Sequence, residues 1–309
     1  MKQFKLNINT KNQKYPIIIG RGLYSNLPKL LAKNSVSFNK CLIVIDNKIK
    51  KKIISRILNK FNKKDKIVYL FKANEKNKNQ KNVDKILNIL LKNNFQRNDC
   101  LISIGGGITG DVSGFASSIY KRGIAFVNVP TTLLAQVDSS IGGKTGVNTS
   151  HGKNLIGSFY QPTLVVSDTN FLKTLPKREI ICGYAEIFKH SLISKKKFFT
   201  FLNKNASKIL KIESPFIEKS IIESCKIKKK IVELDENEKN LRKILNFGHT
   251  FAHAYEAALN YSKKLNHGEA VLLGIISAIT FSLKIKLLTK IDYLKIKNHF
   301  IKYNLPNKV

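Results

Sequence analysis

Two histidines four residues apart, His249 and His253 in NFGHTFAHAYEA, have the spacing that says most about chemistry. On a helix, positions i and i+4 share a face, so both imidazoles reach one cation. His267 stands just before Gly268-Glu269 at a helix entrance, and spacing nominates it, with a carboxylate, to complete the set. Glu186 and Lys189, at i and i+3 in GYAEIFKHSLI, share a face of another helical stretch. Helix packing explains any one of these histidines singly. It explains the three together less well.

A second group lies between Leu101 and Leu175. The apolar LISI runs into Gly105-Gly106-Gly107, and Gly110-Asp111 opens the next helix. Glycines let backbone N–H groups approach a phosphate, whose charge the start of a helix favours. The pattern is not G-x-G-x-x-G, so by itself it says only that a phosphate sits near a helix start. A tight strand-to-helix turn accounts for one glycine but not four. Asp46, after CLIVI, stands where an acidic residue accepts a ribose hydroxyl in dinucleotide-binding folds, or where it caps a helix. Glu75 and Lys78, in the polar loop FKANEKNKNQ, either touch a cofactor or are solvated. Thr131 and Thr132 offer hydroxyls to a nicotinamide amide or a ribose; alternatively Thr131 caps TLLAQVDSS. Asp138, Lys144 in GGKT, and Lys153 with Asn154 in GKN suit an anionic, hydroxyl-rich substrate.

The elements that must carry these residues fall into two halves. Up to residue 100, strand-like runs (Phe4–Ile8, Pro16–Ile19, Cys41–Ile45, Lys66–Phe71) alternate with helical spacing (Leu23–Ala32, Ile49–Phe61, Val83–Leu91), and Ile124–Val129 adds a further strand. That rhythm predicts a parallel sheet with helices on both faces. After Pro176 the pattern is helical throughout: Arg178–Ser194, Lys197–Ile212, Pro215–Leu234, Leu241–Asn260, Gly268–Leu283 and Ile291–Tyr303. The expected organisation is an α/β domain over 1–175 and an all-α domain over 176–309.

Composition bounds the partners. The formal net charge of +35 invites a polyanion, but the excess is lysine scattered along every segment, and arginine occurs only at 21, 56, 97, 122, 178 and 242. Arginine is the better reader of phosphates and bases, so diffuse lysine on solvated faces argues against a specific nucleic-acid partner. No uninterrupted apolar run reaches the roughly 20 residues of a membrane span, and no export signal is evident at the N-terminus. Cys41, Cys100, Cys182 and Cys225 never fall in C-x-x-C spacing, which fits reduced thiols in a cytoplasm.

GGGITGD, SIYKRGIAFVNVPTTLLAQVDSSIGGKTGVN, HGKNLIGSFYQP, LKTLPKREI, GYAEIFKHSLI, LRKILNFGHTFAHAYEA and HGEAVLLG together resemble the 3-dehydroquinate synthase family of sugar-phosphate cyclases, in family order over nearly the whole chain. The resemblance implies a Rossmann-like NAD-binding α/β domain followed by an all-α metal-binding domain. It implies a zinc or cobalt ion on Glu186, His249 and His267, which places His253 on the substrate side instead. Matching substrate positions are Arg122, Lys144, Asn154, Lys189, Lys228, Arg242 and Asn246, with Asp138 and His253 in the hydroxyl-binding and proton-handling network. For NAD the matches are Asp46, Glu75, Lys78, Gly106, Gly107, Gly110, Asp111, Thr131, Thr132, Lys144, Lys153 and Phe171 to Thr174. The implied reaction turns 3-deoxy-D-arabino-heptulosonate 7-phosphate into 3-dehydroquinate and phosphate. Transient oxidation by NAD, phosphate elimination, re-reduction and intramolecular aldol closure accomplish it, with the substrate phosphate able to act as base. A homodimer is implied too.

The chain departs from the family pattern at three places. It stops at LPNKV, where the family continues into a segment carrying another lysine, so the second domain reads as C-terminally shortened. Asn237 and Asn240 replace the usual Arg and Gly before Leu241-Arg242, and Asn74 replaces a usual Gly. Rival readings are another NAD- and metal-dependent sugar-phosphate cyclase, an NAD-linked polyol dehydrogenase, and a non-catalytic nucleic-acid-binding remnant.

Overall fold

Six-residue runs whose interiors are apolar but for one small serine, such as CLIVID and CLISIG, bury both faces and therefore become central strands of a parallel sheet. The computed structural model describes residues 3–63, 65–194, 196–260, 262 and 264–308. The chain divides into two compact units, Met1–Thr174 and Leu175–Val309.

The first unit contains, in chain order, β1 Phe4–Asn9, β2 Lys14–Gly20, α1 Leu27–Lys33, β3 Cys41–Asp46, α2 Lys51–Leu58, β4 Lys66–Phe71, α3 Gln80–Lys92, β5 Cys100–Gly105, α4 Gly107–Ile119, β6 Ala125–Pro130, β7 Lys144–Thr149, β8 Gly152–Phe159 and β9 Leu164–Asp168. Seven strands form one sheet in the order β1-β2-β9-β6-β5-β3-β4, parallel except for the β1–β2 pair. Alternation along β3 sorts the two faces. Cys41, Ile43 and Ile45 pack with Leu27, Leu31 and Ile57 of α1 and α2, whereas Leu42 and Val44 pack with Val83, Ile86 and Leu90 of α3 and with Val112 and Ala116 of α4. The chain leaves β3 toward β4 and returns to place β5 on its other side, so the strand order reverses between β3 and β5. In such sheets ligands bind beyond the carboxyl ends of the strands flanking the reversal, here Asp46 and Gly105-Gly106.

One detail of this unit differs from the sequence expectation. TLLAQVDSS forms no ordinary helix but a wide π-type turn over Ala135–Ser139, and the residue capping it is Thr132, whose Oγ1 accepts the Ala135 N–H at 3.2 Å, not Thr131. The glycine- and lysine-rich run from 142 to 159 is a two-stranded antiparallel hairpin, β7–β8, separate from the main sheet.

The second unit is helical: α5 Lys177–Leu192, α6 Lys196–Leu210, α7 Phe216–Leu234, α8 His249–Ala258, α9 His267–Lys284 and α10 Lys290–Lys302. The helix expected over Leu241–Asn260 is broken. A 3-10 turn covers Leu241–Asn246, and Gly248, at φ +80°, is the left-handed residue from which α8 starts. By length and composition α9 is apolar enough to cross a membrane, although no uninterrupted apolar run is that long. It is a core helix: Ala270 to Ile275 are buried, and α9 packs against both α5 and α8.

His299 on α10 locks three helices together. With Nδ1 protonated, it donates to Asn203 Oδ1 on α6 at 3.0 Å and accepts from the Tyr184 hydroxyl on α5 at 2.9 Å, while its ring stacks on Phe188 at 4.6 Å. Burial, aided by the charge of Lys302, lowers its pKa to about 4. The unfolded chain titrates near 6.5, so between those values it binds the extra proton and stability falls as pH falls. The shift is worth about 3 kcal/mol by that linkage. Urea unfolding followed from pH 7 to pH 4 should show this loss, and H299F, which keeps the stacking but cannot titrate, should lose that part of the slope. An unchanged slope would contradict the assignment.

All four cysteines are free and buried, and burial pushes the thiols of Cys41 and Cys182 up to about 12. Thiolate is the reactive form. An aromatic disulfide reagent at pH 8 should therefore leave the native protein unlabelled over minutes and titrate four thiols after denaturation; rapid native labelling would overturn this.

Candidate active site

Glu186 lies midway along α5 with 1% of its surface exposed, a position where a carboxylate must find cationic partners. Its Oε2 abuts the ammonium of Lys189 one turn on, and its Oε1 sits 3.8 Å from His249 Nε2, too far for a hydrogen bond. His249 is the first residue of α8 and His267 the first of α9. One donor atom from each of Glu186, His249 and His267 comes together within 4.8 Å of the others.

Two glycines make that convergence possible. A Cβ on Gly268 would collide with Cys182 Cα and stand 2.7 Å from the Cys182 carbonyl oxygen, so α9 starts in direct backbone contact with α5. A Cβ on Gly274 would collide with the Gly248 carbonyl and stand 2.9 Å from Ala252 N, so α9 lies equally close to the start of α8. The α9 N-terminus is fixed further by a capping box between Asn266 and Glu269, and by Arg178, whose Nε donates to Glu269 Oε1 at 2.7 Å.

The donor set fits a divalent cation. It offers a buried carboxylate oxygen without a hydrogen-bond donor, together with two imidazoles. In His249 the Nδ1 faces the Phe247 carbonyl at 3.4 Å, which makes Nε2 the lone-pair nitrogen. Opposing effects act on His267: burial depresses its pKa, but the Glu256 carboxylate and the charge of Glu186 outweigh it, and the net direction is upward. His253, nominated by spacing, has its ring centroid 5.6 Å from that of His249 but is exposed and outside the three-residue group.

The other residues singled out in this unit are spread over three elements. Lys189, Lys228 and Arg242 are each at most 5% exposed. Arg242 Nη1 donates to the Glu236 carbonyl, and the segment before it is folded around Asp235, which accepts the N–H groups of Lys239, Asn240 and Arg242. Those bonds hold the Asp235 carboxyl below the usual range. Asn246 is exposed and donates to Glu238 Oε1 at 3.3 Å.

In the first unit, Asp46 ends β3 beside the strand-order reversal. It caps no helix: its Oδ1 accepts the Lys48 N–H at 3.0 Å, and burial raises its pKa. Gly106 is the N-cap of α4 and provides no side-chain cap, leaving the first-turn N–H groups to another acceptor. A Cβ on Gly107 would meet the Ser139 Oγ at 2.9 Å. Lys78 is nearly buried and donates to Asp111 Oδ2 and Asn154 Oδ1, both at 2.5 Å. Burial nonetheless pushes the Asp111 carboxyl up, with Glu75 and Asp138 adding to the rise against Lys78.

Thr131 is buried, with its N–H bonded to the Gly105 carbonyl. Asp138 is half-buried in the π-type turn, while Arg122, Lys144 and Lys153 are exposed. Phe171 is a core residue whose ring lies tilted against that of Tyr24 at 4.9 Å, and the Thr174 hydroxyl donates back to its carbonyl. The sequence reading missed Asn148. Its side chain donates to Glu75 Oε2 at 2.9 Å and accepts the Asn154 N–H at 3.1 Å, tying the hairpin to the loop after β4. It also missed Glu256, two helical turns after His249.

Residues 68–182 match the family described as 3-dehydroquinate synthase N-terminal, and residues 183–309 match 3-dehydroquinate synthase C-terminal. The chain belongs to the 3-dehydroquinate synthase family. It is 61% identical over 309 residues to a 3-dehydroquinate synthase of Pelagibacter ubique, covering 100% of this chain and 84% of that relative. It is 45% identical over 271 residues to one of Alkaliphilus metalliredigens, covering 88% and 75%. Among solved structures, it resembles 2-deoxy-scyllo-inosose synthase complexed with carbaglucose-6-phosphate, NAD+ and Co2+. That match has a TM-score of 0.87 and 26% identity, over 99% of this chain and 84% of the other. It also resembles 2-epi-5-epi-valiolone synthase from Streptomyces hygroscopicus with NAD+ and Zn2+ bound, with a TM-score of 0.86 and 26% identity, over 97% and 83%. A probable glycerol dehydrogenase from Sinorhizobium meliloti, at 15% identity and TM-score 0.70 over 99% of this chain and 85% of the other, shares the fold alone. Membership of the 3-dehydroquinate synthase family thus extends through both units.

Proposed function

We propose that this chain is an NAD- and metal-dependent lyase that converts 3-deoxy-D-arabino-heptulosonate 7-phosphate to 3-dehydroquinate and inorganic phosphate. The observation that carries the reading is the convergence of Glu186, His249 and His267 in a chain of this family. These three residues would hold a zinc or cobalt ion, which supplies Lewis acidity toward substrate hydroxyls. Bound NAD would supply reversible hydride-acceptor chemistry with no net consumption of the cofactor.

The chain's own groups do the rest. Asp46 would accept ribose hydroxyls, and the uncapped start of α4 at Gly106, Gly107 and Gly110 would bind pyrophosphate. Glu75, Lys78, Asp111, Thr131, Thr132, Lys144, Lys153, Phe171 and Thr174 would complete the cofactor contacts. Arg122, Lys144, Lys189, Lys228 and Arg242 would offset the substrate's negative charge, and Asn154 and Asn246 would orient its hydroxyls. Asp138 and His253 would hold and move protons on those hydroxyls. The positive charge that Lys189, Lys228 and Arg242 bring into the helical unit supports an anionic substrate. A cytoplasmic homodimer belongs to this reading: buried free thiols support the compartment, and light scattering tests the pairing.

The test is incubation with the heptulosonate phosphate, NAD and Zn2+ or Co2+. Equimolar phosphate and 3-dehydroquinate should form without NADH accumulating. Accumulating NADH would favour the polyol dehydrogenase reading, and turnover only of another sugar phosphate would favour a different cyclase.

A further inference from the structure

A ligating imidazole needs a partner that sets its tautomer, and the His267 ring stands at the first position of α9 with 37% of its side chain exposed. Its Nδ1 lies 3.5 Å from Oε1 of Glu256, a carboxylate only 7% exposed on the inner side of α8. Glu256 follows His249 by two helical turns, so one short helix carries both a donor of the cluster and the partner of a second donor. His249 meets the same need differently, presenting its Nδ1 to the Phe247 carbonyl.

We infer that Glu256 is a positioning residue of the metal centre: it accepts the Nδ1–H of His267 and so fixes the tautomer and rotation in which Nε2 presents its lone pair to the cation. This rests on the metal-centre reading above. A carboxylate in this place does two things that a carbonyl does less well. It makes the imidazole a more basic ligand, and its negative charge offsets part of the charge of the bound ion.

The test compares the wild-type protein with E256A and E256Q, reading Co2+ affinity by competition with a chromophoric chelator and the cobalt absorption bands of the loaded proteins. E256A should bind cobalt about 10- to 100-fold more weakly with unchanged band positions, the usual cost of removing such a partner. E256Q keeps an oxygen acceptor and should fall between E256A and wild type, with melting temperatures of the metal-free proteins close to one another. Affinity of E256A within about twofold of wild type would overturn the assignment. Equal losses in both variants accompanied by equally lowered metal-free melting would overturn it too, by marking Glu256 as a packing residue. Shifted cobalt bands would overturn it by making Glu256 a direct ligand. A wild-type protein that binds no cobalt would instead sink the metal-centre reading itself, a failure distinguishable from the other three.

Discussion

E186Q is expected to abolish measurable phosphate release, cutting kcat/KM by roughly a thousandfold or more, and to weaken the fold at the same time. The catalytic part follows from losing the anionic oxygen of the cation site, since Lewis-acid stabilisation is worth several kcal/mol at ~1.4 kcal/mol per tenfold. The stability part follows from Lys189, which is 2% exposed and pairs with Glu186. With the carboxylate neutralised, a buried ammonium loses its partner, a change that costs about 3–5 kcal/mol. The two effects are separable. E186Q/K189M removes the orphaned charge and should recover most of the unfolding free energy while remaining unable to bind cobalt. If the double variant regained metal affinity, Glu186 would not be a ligand; if E186Q unfolded no more readily than wild type, the Lys189 pairing would not be the buried interaction described.

The alanine variants of Gly268 and Gly274 give the second large effect, and its sign decides between two physical terms. Helix propensity alone favours alanine over glycine by about 1 kcal/mol in a helix interior. Packing opposes it: each added methyl would strike backbone atoms, at Cys182 for Gly268 and at Gly248 and Ala252 for Gly274. Backbone cannot rotate away as a side-chain tip can, and overpacking of this kind costs typically about 1–3 kcal/mol or more. Both variants should therefore be destabilised, by a net of up to about 2 kcal/mol. Both should also lose cobalt affinity, because separating α9 from α5 or α8 pulls His267 away from Glu186 or His249. A stabilised G268A or G274A in urea unfolding would show that α9 is not held by these contacts.

Much of the fold is legible in the sequence because short apolar, β-branched runs mark strands, whether buried on both faces like Cys41–Asp46 or half-exposed at the sheet edge like Lys66–Phe71. Lys66–Phe71 is a strand over the range its residues suggest, and Cys41–Ile45 needs only Asp46 added. Periodicity is blind to single left-handed residues, so the helical spacing from Leu241 to Asn260 conceals the break at Gly248 that lets His249 begin a helix. The hairpin from Lys144 to Phe159 is equally hidden, since its glycines and polar residues read as loop until Asn148 and Lys78 pin it to the neighbouring segment.

At the site, spacing on one helix found His249 but paired it with His253. The convergence with Glu186 and His267 depends on three helices meeting, which a one-dimensional pattern does not encode; there the family motifs supplied what spacing lacked. Glu256 and His299 went unread for a common reason. A carboxylate or imidazole on a helix is ordinarily solvated, and only the tertiary structure reveals that these two are buried.

The most direct measurement is anomalous diffraction at the cobalt edge from crystals of the cobalt-loaded protein. The account predicts one strong peak bonded at about 2.0–2.2 Å to a carboxylate oxygen of Glu186 and a ring nitrogen of each of His249 and His267. A peak ligated by His253 in place of any of these, or no peak at this cluster in protein that has bound cobalt, would contradict it.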